Sequence, residues 1–168
     1  VIGAGAAGAA AALAEHGAAK IYVADDAALT TAVVAPKVAV LNQLIADASP
    51  AAVLIASSAE GKEIAGRLAV RANSGVITDA IDIEDGIVAV QSVFGGSTIV
   101  KSTVTNGTPI ITVRPNSTAP EAAPAAGEQV AINVALSDAD TAAKITGHTV
   151  VAKGERPDLS EAAVVVSG

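Results

Sequence analysis

AAVLIASSAEGKEIAGRLAVRA, residues Ala51–Ala72, is the stretch that decides the fold. Its first six residues form a continuous apolar run bounded by turn residues, the pattern of a central parallel strand buried on both faces. Ser58 then stands where a helix N-cap belongs, because its hydroxyl can take up one of the free N–H groups of a first turn. From Glu60 to Ala72 the apolar residues return at helical spacing. Ile64 and Leu68 fall on the core side, and Glu63 and Arg67 form an i,i+4 pair on the wet side. A buried strand running into a capped amphipathic helix is the repeating unit of an α/β protein.

The same alternation extends upstream. Ala6–His16 is predicted as a helix stopped by Gly17, and Lys20–Ala24 as a short buried strand. From Pro36 to Ala48 the residues Val38, Leu41, Ile45 and Ala48 keep helical spacing, with proline at the start and Ser49-Pro50 beyond the end. Downstream the pattern changes to β-type runs, VITDAIDI, IVAVQSVF, STIVKSTV and PIITVRP, separated by EDG, GG and NGT turn signals. These read as antiparallel hairpins appended to the parallel sheet. Arg114–Glu128 carries three prolines and no apolar periodicity, so it is a surface linker. A strand over Glu128–Leu136 and an irregular stretch complete the chain. The predicted class is α/β: a three-layer, doubly wound, mostly parallel sheet with an appended antiparallel hairpin region.

Composition narrows the function. Apolar residues make up 51% of the 168 residues, yet Tyr22 and Phe94 are the whole aromatic supply, so the core is built from Val, Ile, Leu and Ala. A net charge of −7 with ten scattered Lys and Arg argues against nucleic acid, whose phosphates need clustered cations. No apolar run reaches the roughly 18 residues of a membrane span, so membrane insertion is not expected. The absence of cysteine excludes disulfides, thiolate metal sites and cysteine nucleophiles, and fits a cytoplasmic protein. With no methionine, Val1 inside a strand-like run and a β-branched run before Gly168, the chain is expected to continue at both ends.

The sharpest chemical signal is VIGAGAAG, Val1–Gly8. Gly3, Gly5 and Gly8 spell G-x-G-x-x-G between a strand and a helix, and Asp25 lies where a ribose-binding acid belongs, about 20 residues on. Such a loop lets a backbone approach a pyrophosphate at a helix N-terminus. The same residues in a glycine- and alanine-rich chain also make an ordinary strand-to-helix turn. Ser57, Ser58, Glu60, Gly61 and Lys62 lack the spacing of a phosphate loop, and Ser58 is better read as a cap. Asp79, Asp82, Glu84 and Asp85 cluster at a hairpin without the ligand spacing of a cation cage. His16 and His148 are far apart with no nucleophile signature near either. No catalytic residue and no metal ligand is assigned.

Several segments, in order, resemble the N-terminal domain of the electron transfer flavoprotein alpha subunit. They are EHGAAKIYVADD, then ASPAAVLIASSAEGKEIAGRLAVRANSGVITDAIDI, then SVFGGSTIVKSTVTNGTPIITVRPNS, and finally RPDLSEAAVVVSG. The resemblance implies a domain over residues 1–156, lacking a strand and helix that would precede Val1, and the start of a flavin-binding domain over 157–168. It implies that FAD is held beyond Gly168, that no cofactor is held by this region, and that the chain is an electron carrier subunit, not an enzyme. It further implies pairing with a beta subunit and electron transfer from acyl-CoA dehydrogenases to a membrane quinone oxidoreductase, with this domain serving assembly. On that reading strand edges near the missing strand are left open, and the hairpin at Phe94, Gly95 and Gly96 is a candidate subunit contact. A Rossmann-type FAD or NAD(P) oxidoreductase domain using Gly3, Gly5, Gly8 and Asp25 is the alternative, and a nucleotide-binding regulatory module a third.

Overall fold

Ser58 does cap a helix. In the computed structural model its Oγ accepts the Gly61 N–H at 3.0 Å and opens α4 (Ala59–Arg71). Residues 151–153, 155–156, 158, 160–161 and 168 aside, the structure describes the whole chain. The preceding elements are α1 (Ala10–Glu15), β1 (Lys20–Val23), α2 (Ala28–Thr31), α3 (Ala35–Ala48) and β2 (Val53–Ala56). After α4 come β3 (Val76–Glu84), β4 (Val88–Val93), β5 (Thr98–Ser102), β6 (Ile110–Val113) and β7 (Glu128–Ala131). The molecule is mixed α/β, with parallel pairs outnumbering antiparallel ones.

Among the described residues the strands form two hydrogen-bonded sheets, β1-β7 and β2-β6-β3-β4-β5. The central parallel strand of the larger sheet is β6, flanked in parallel by β2 and β3. The expectation that Ala51–Ala56 is central is therefore corrected: β2 lies at the sheet edge, and Leu54 is 56% exposed. PIITVRP likewise is not part of a hairpin. Among the described residues, only β3-β4-β5 is an antiparallel meander. The NGT turn carries the chain back across the sheet, so the turn signal was real but its meaning was not a hairpin. Gly107 makes that return possible: its φ is +71°, and a Cβ there would come within 2.8 Å of Ser74. Asn106 Nδ2 donates to the Asn73 carbonyl at 2.7 Å and fixes the turn against the end of α4.

Burial explains the order. Ile110, Ile111 and Thr112 are fully buried, so β6 has no wet face and must lie inside. On one side of the sheet Ile110 packs with Val34, Val38, Ile64, Ala65 and Leu68 beneath α3 and α4. On the other side Ile111 packs with Ile77, Ala80 and Ala89. A third cluster of Ala24, Leu29 and Val40, with Ile132, Val134 and Leu136 against it, joins α3 to the small sheet. Helix α3 thus serves both sheets, through Val38 on one and Val40 on the other.

The predicted linker runs over the surface, but its backbone is fastened. Ala123 and Ala125 donate to the Glu15 and Ala14 carbonyls at 2.9 Å, beside the end of α1. The predicted strand over Glu128–Leu136 is confined to β7, its remaining apolar residues packing on the third cluster. The residue before the domain boundary placed at 156/157, and half of the RPDL motif, lie outside the described residues.

Candidate functional site

The glycine turn and its acid come together in space. Ile2 bridges to Ala24 in parallel, extending the edge of β1, and Gly3 N–H donates to the Ala24 carbonyl at 2.9 Å. Gly5, left-handed at φ +77°, then starts a 3-10 turn over Ala6–Ala9 that leads into the six-residue α1. Gly8 lies within that turn, with open space where a side chain would be. Asp25 stands at the carboxyl end of β1, and its Oδ1 accepts the Gly5 N–H at 2.9 Å. The acid that sequence spacing assigned to a ribose is thus bonded to the turn itself. An anion at this turn would compete with the Asp25 carboxylate for the Gly5 N–H. The nearby cavity beside Asp26, Leu29 and Val134 holds about 60 Å³, below the several hundred Å³ of an ordinary cofactor pocket.

The G-K-E segment has a packing reason. A Cβ at Gly61 would sit 2.0 Å from the Ala56 carbonyl oxygen, so only glycine lets α4 come this close to β2. Lys37 pairs with Glu60 across the helix starts, and Arg67 pairs with Glu63 at 2.9 Å as its spacing predicted. A larger hollow of about 440 Å³ lies between α3, α4 and the turn at Ala139. Its walls, including Val38, Gly66 and Val70, are mostly apolar, and its two arginines, Arg67 and Arg71, are already paired with Glu63 and Asp140.

The most organised polar cluster lies at the carboxyl ends of β2 and β6, beside the bulge in the first half of β3. Between Ile77 and Ala80 the register against β6 shifts, so Thr78 and Asp79 together face Thr112. The bulge puts Asp79 at φ +63° and leaves its N–H without a strand partner. The buried Thr112 hydroxyl fills that gap, accepting the Asp79 N–H at 2.9 Å and donating to Ser57 Oγ at 3.0 Å. The Asp79 side chain is turned toward Arg114, whose Nε and Nη2 donate to Oδ2 at 3.1 and 2.6 Å. Arg114 Nη2 also donates to the Ser92 carbonyl at 3.2 Å. The Arg114 guanidinium holds the Asp79 carboxyl below the ordinary carboxylate range, with the Ser57 hydroxyl and the Lys62 charge adding to it. Sequence reasoning weighed Asp79 only as a possible cation ligand and passed over Arg114; the strand-ending T-V-R-P was the signal available.

Two of the remaining acids of that group are committed elsewhere, and Asp85 lies in the turn between β3 and β4. Glu84 accepts from Lys101 at 2.6 Å, and Asp82 from the Ile83 N–H at 2.8 Å. Among the described residues no three His, Asp or Glu side chains gather as a metal site would require. His16 Nδ1 donates to the Ala12 carbonyl at 2.9 Å at the end of α1, and His148 lies in irregular chain. Just past β4 is an exposed apolar feature. Phe94, Gly95 and Gly96 all have positive φ, and Phe94 is 84% exposed. The Ser97 N–H and Oγ both donate to the Phe94 carbonyl, at 3.3 and 2.9 Å. Among the described residues no helix is long and apolar enough to cross a membrane.

Comparison with known proteins places these features in a lineage. A family model described as electron transfer flavoprotein domain matches residues 1–139. The electron transfer flavoprotein subunit alpha of Mycobacterium leprae is 48% identical over 152 residues, 90% of this chain and 48% of that protein. The protein of the same name from Mycobacterium tuberculosis is 48% identical over 118 residues, 70% of this chain and 37% of its own. That from Syntrophomonas wolfei is 35% identical over 163 residues, 92% of this chain and 50% of its own. The chain spans about half the length of these curated relatives or less.

Proposed function

Because this chain belongs to the electron transfer flavoprotein family, we propose that it is the assembly-forming part of an alpha subunit and carries no redox centre of its own. The observation that carries the reading is the alignment with named alpha subunits along nine-tenths of the chain but only half of theirs. On this reading residues 1–156 form the first domain and 157–168 lead into the flavin-binding one. FAD is held by that following domain, beyond Gly168. The whole protein is a cytoplasmic carrier that pairs with a beta subunit and takes electrons from acyl-CoA dehydrogenases and related flavoenzymes, delivering them to a membrane quinone oxidoreductase.

Two local features support a scaffold role. The Gly5 N–H already has the Asp25 carboxylate as its partner, and the cavity beside Ala24 and Asp26 is of about two-water size. The Phe94 turn, exposed and held in an uncommon backbone conformation, is the surface we assign to the beta subunit.

The test is a titration of this 168-residue chain with FAD and with NAD, read by flavin absorbance and calorimetry after circular dichroism has established that the chain is folded. The scaffold reading expects no binding. Micromolar binding that disappears in Gly5→Val would restore the dinucleotide clamp and overturn it.

A further inference from the structure

The reading of the Phe94 turn as a docking surface requires that turn to be held in one place, yet the turn itself supplies little restraint. Phe94 is solvent-exposed and left-handed, followed by two glycines that are also at positive φ. Within the turn only Ser97 braces it. The β4–β5 ladder closes the turn by pairing Val93 with Thr98, and Arg114 adds a side-chain brace, reaching from the end of β6 to the Ser92 carbonyl, two residues before Phe94.

We propose that Asp79 and Arg114 are a positioning pair that sets the Phe94 turn for subunit docking, an inference that rests on the docking reading above. Arg114 is anchored from below by its own N–H, bonded to the Ala80 carbonyl at 2.8 Å. Its guanidinium is aimed by Asp79, and Asp79 in turn is set by the bulge and the buried Thr112 hydroxyl. A line of contacts therefore runs from the buried centre of the sheet through Thr112, Asp79 and Arg114 to Ser92, from which the backbone leads through Val93 to the exposed Phe94. As a contribution to folding the pair is minor, because both side chains are more than one-third exposed and screened by water. As a positioning device it is well suited. The planar guanidinium satisfies Asp79 and the Ser92 carbonyl together, which a lysine ammonium in its place would not do with the same geometry. A turn ordered before binding spares the complex the cost of ordering it.

The experiment uses the full-length alpha chain and its beta subunit. Phe94→4-fluorophenylalanine, introduced at that site alone, provides a fluorine resonance that reports the turn in the free chain. Asp79→Asn keeps the N–H to Thr112 and tolerates positive φ, and Arg114→Lys keeps the charge. Each is expected to broaden or split the fluorine resonance and to weaken subunit association about threefold to tenfold, the range for one interface side chain left unordered, while the melting temperature of the free chain changes little. If Phe94→Ala weakens association but Asp79→Asn and Arg114→Lys leave it at the original value, the positioning inference fails and the docking surface stands. Unchanged association in Phe94→Ala removes the docking surface, and the inference with it. Parallel losses of melting temperature and association in both pair variants would assign the effect to folding and overturn the inference.

Discussion

At the scale of single residues, Gly61 and Asp140 have the most to lose. Gly61 has a backbone carbonyl where its side chain would be, and a carbonyl at a strand end cannot swing aside as a long side chain can. Gly61→Ala is expected to cost about 3 kcal/mol, the upper part of the range for overpacked sites, and so to lower the melting temperature by roughly 6–12 °C. A thermal melt at matched concentration measures it. Asp140 is only 6% exposed. Burial pushes its carboxyl up, but the Ser137 hydroxyl and backbone N–H, together with Arg71, outweigh that and hold it below the ordinary range. Since the folded form binds its proton less readily than the unfolded one, the carboxylate stabilises the fold above about pH 4. That stability disappears as pH falls through the depressed folded value. Asp140→Ala should destabilise by about 2 kcal/mol at neutral pH, and a urea series from pH 7 to below 4 should show the difference from wild type shrinking at the acid end.

At the scale of elements, α4 organises its surroundings. It is capped by Ser58, packed flush on β2 through Gly61, buried through Ile64, Ala65 and Leu68, and tied to the 137–140 turn by Arg71. The cap and the buried face at Ile64 and Leu68 were legible in Ala51–Ala72, because caps and helical periodicity are properties of neighbours in sequence; the close packing at Gly61 and the Arg71 tie were not, because both are contacts with other elements. Ser58→Ala removes the only side-chain partner of the Gly61 N–H and is expected to cost about 1 kcal/mol, visible as a lower urea midpoint with unchanged slope. Strand β6 shows the opposite case. PIITV looks the same whether it pairs in a hairpin or crosses over to lie parallel. Complete burial of Ile110, Ile111 and Thr112 chooses the second.

At the scale of the whole molecule, the free edge of β2 governs behaviour in isolation. Among the described residues Val53–Ala56 pairs with β6 on one side only, and Leu54 is more than half exposed on that edge strand. An apolar, unguarded strand edge is a template for another chain. The 168-residue chain on its own is therefore expected to self-associate with rising concentration in sedimentation velocity. Leu54→Lys should reduce that association without lowering the melting temperature. A wild-type chain that stays monomeric throughout the concentration series would remove the β2 edge from consideration.

The residue order by itself determined the α/β class, the cap and faces of α4, the helix after Pro36, the turn glycines and the relationship to electron transfer flavoprotein alpha subunits. All of these depend on local chemistry or on the order of short motifs. Tertiary structure alone decided that β6 and not β2 is the central strand and that the strands divide into two sheets. It also decided that Asp25 turns to its own loop and that Asp79, Thr112 and Arg114 meet. Those outcomes depend on which surfaces are buried against which, and on side chains up to 35 residues apart competing for the same hydrogen bonds, which no local window of sequence contains.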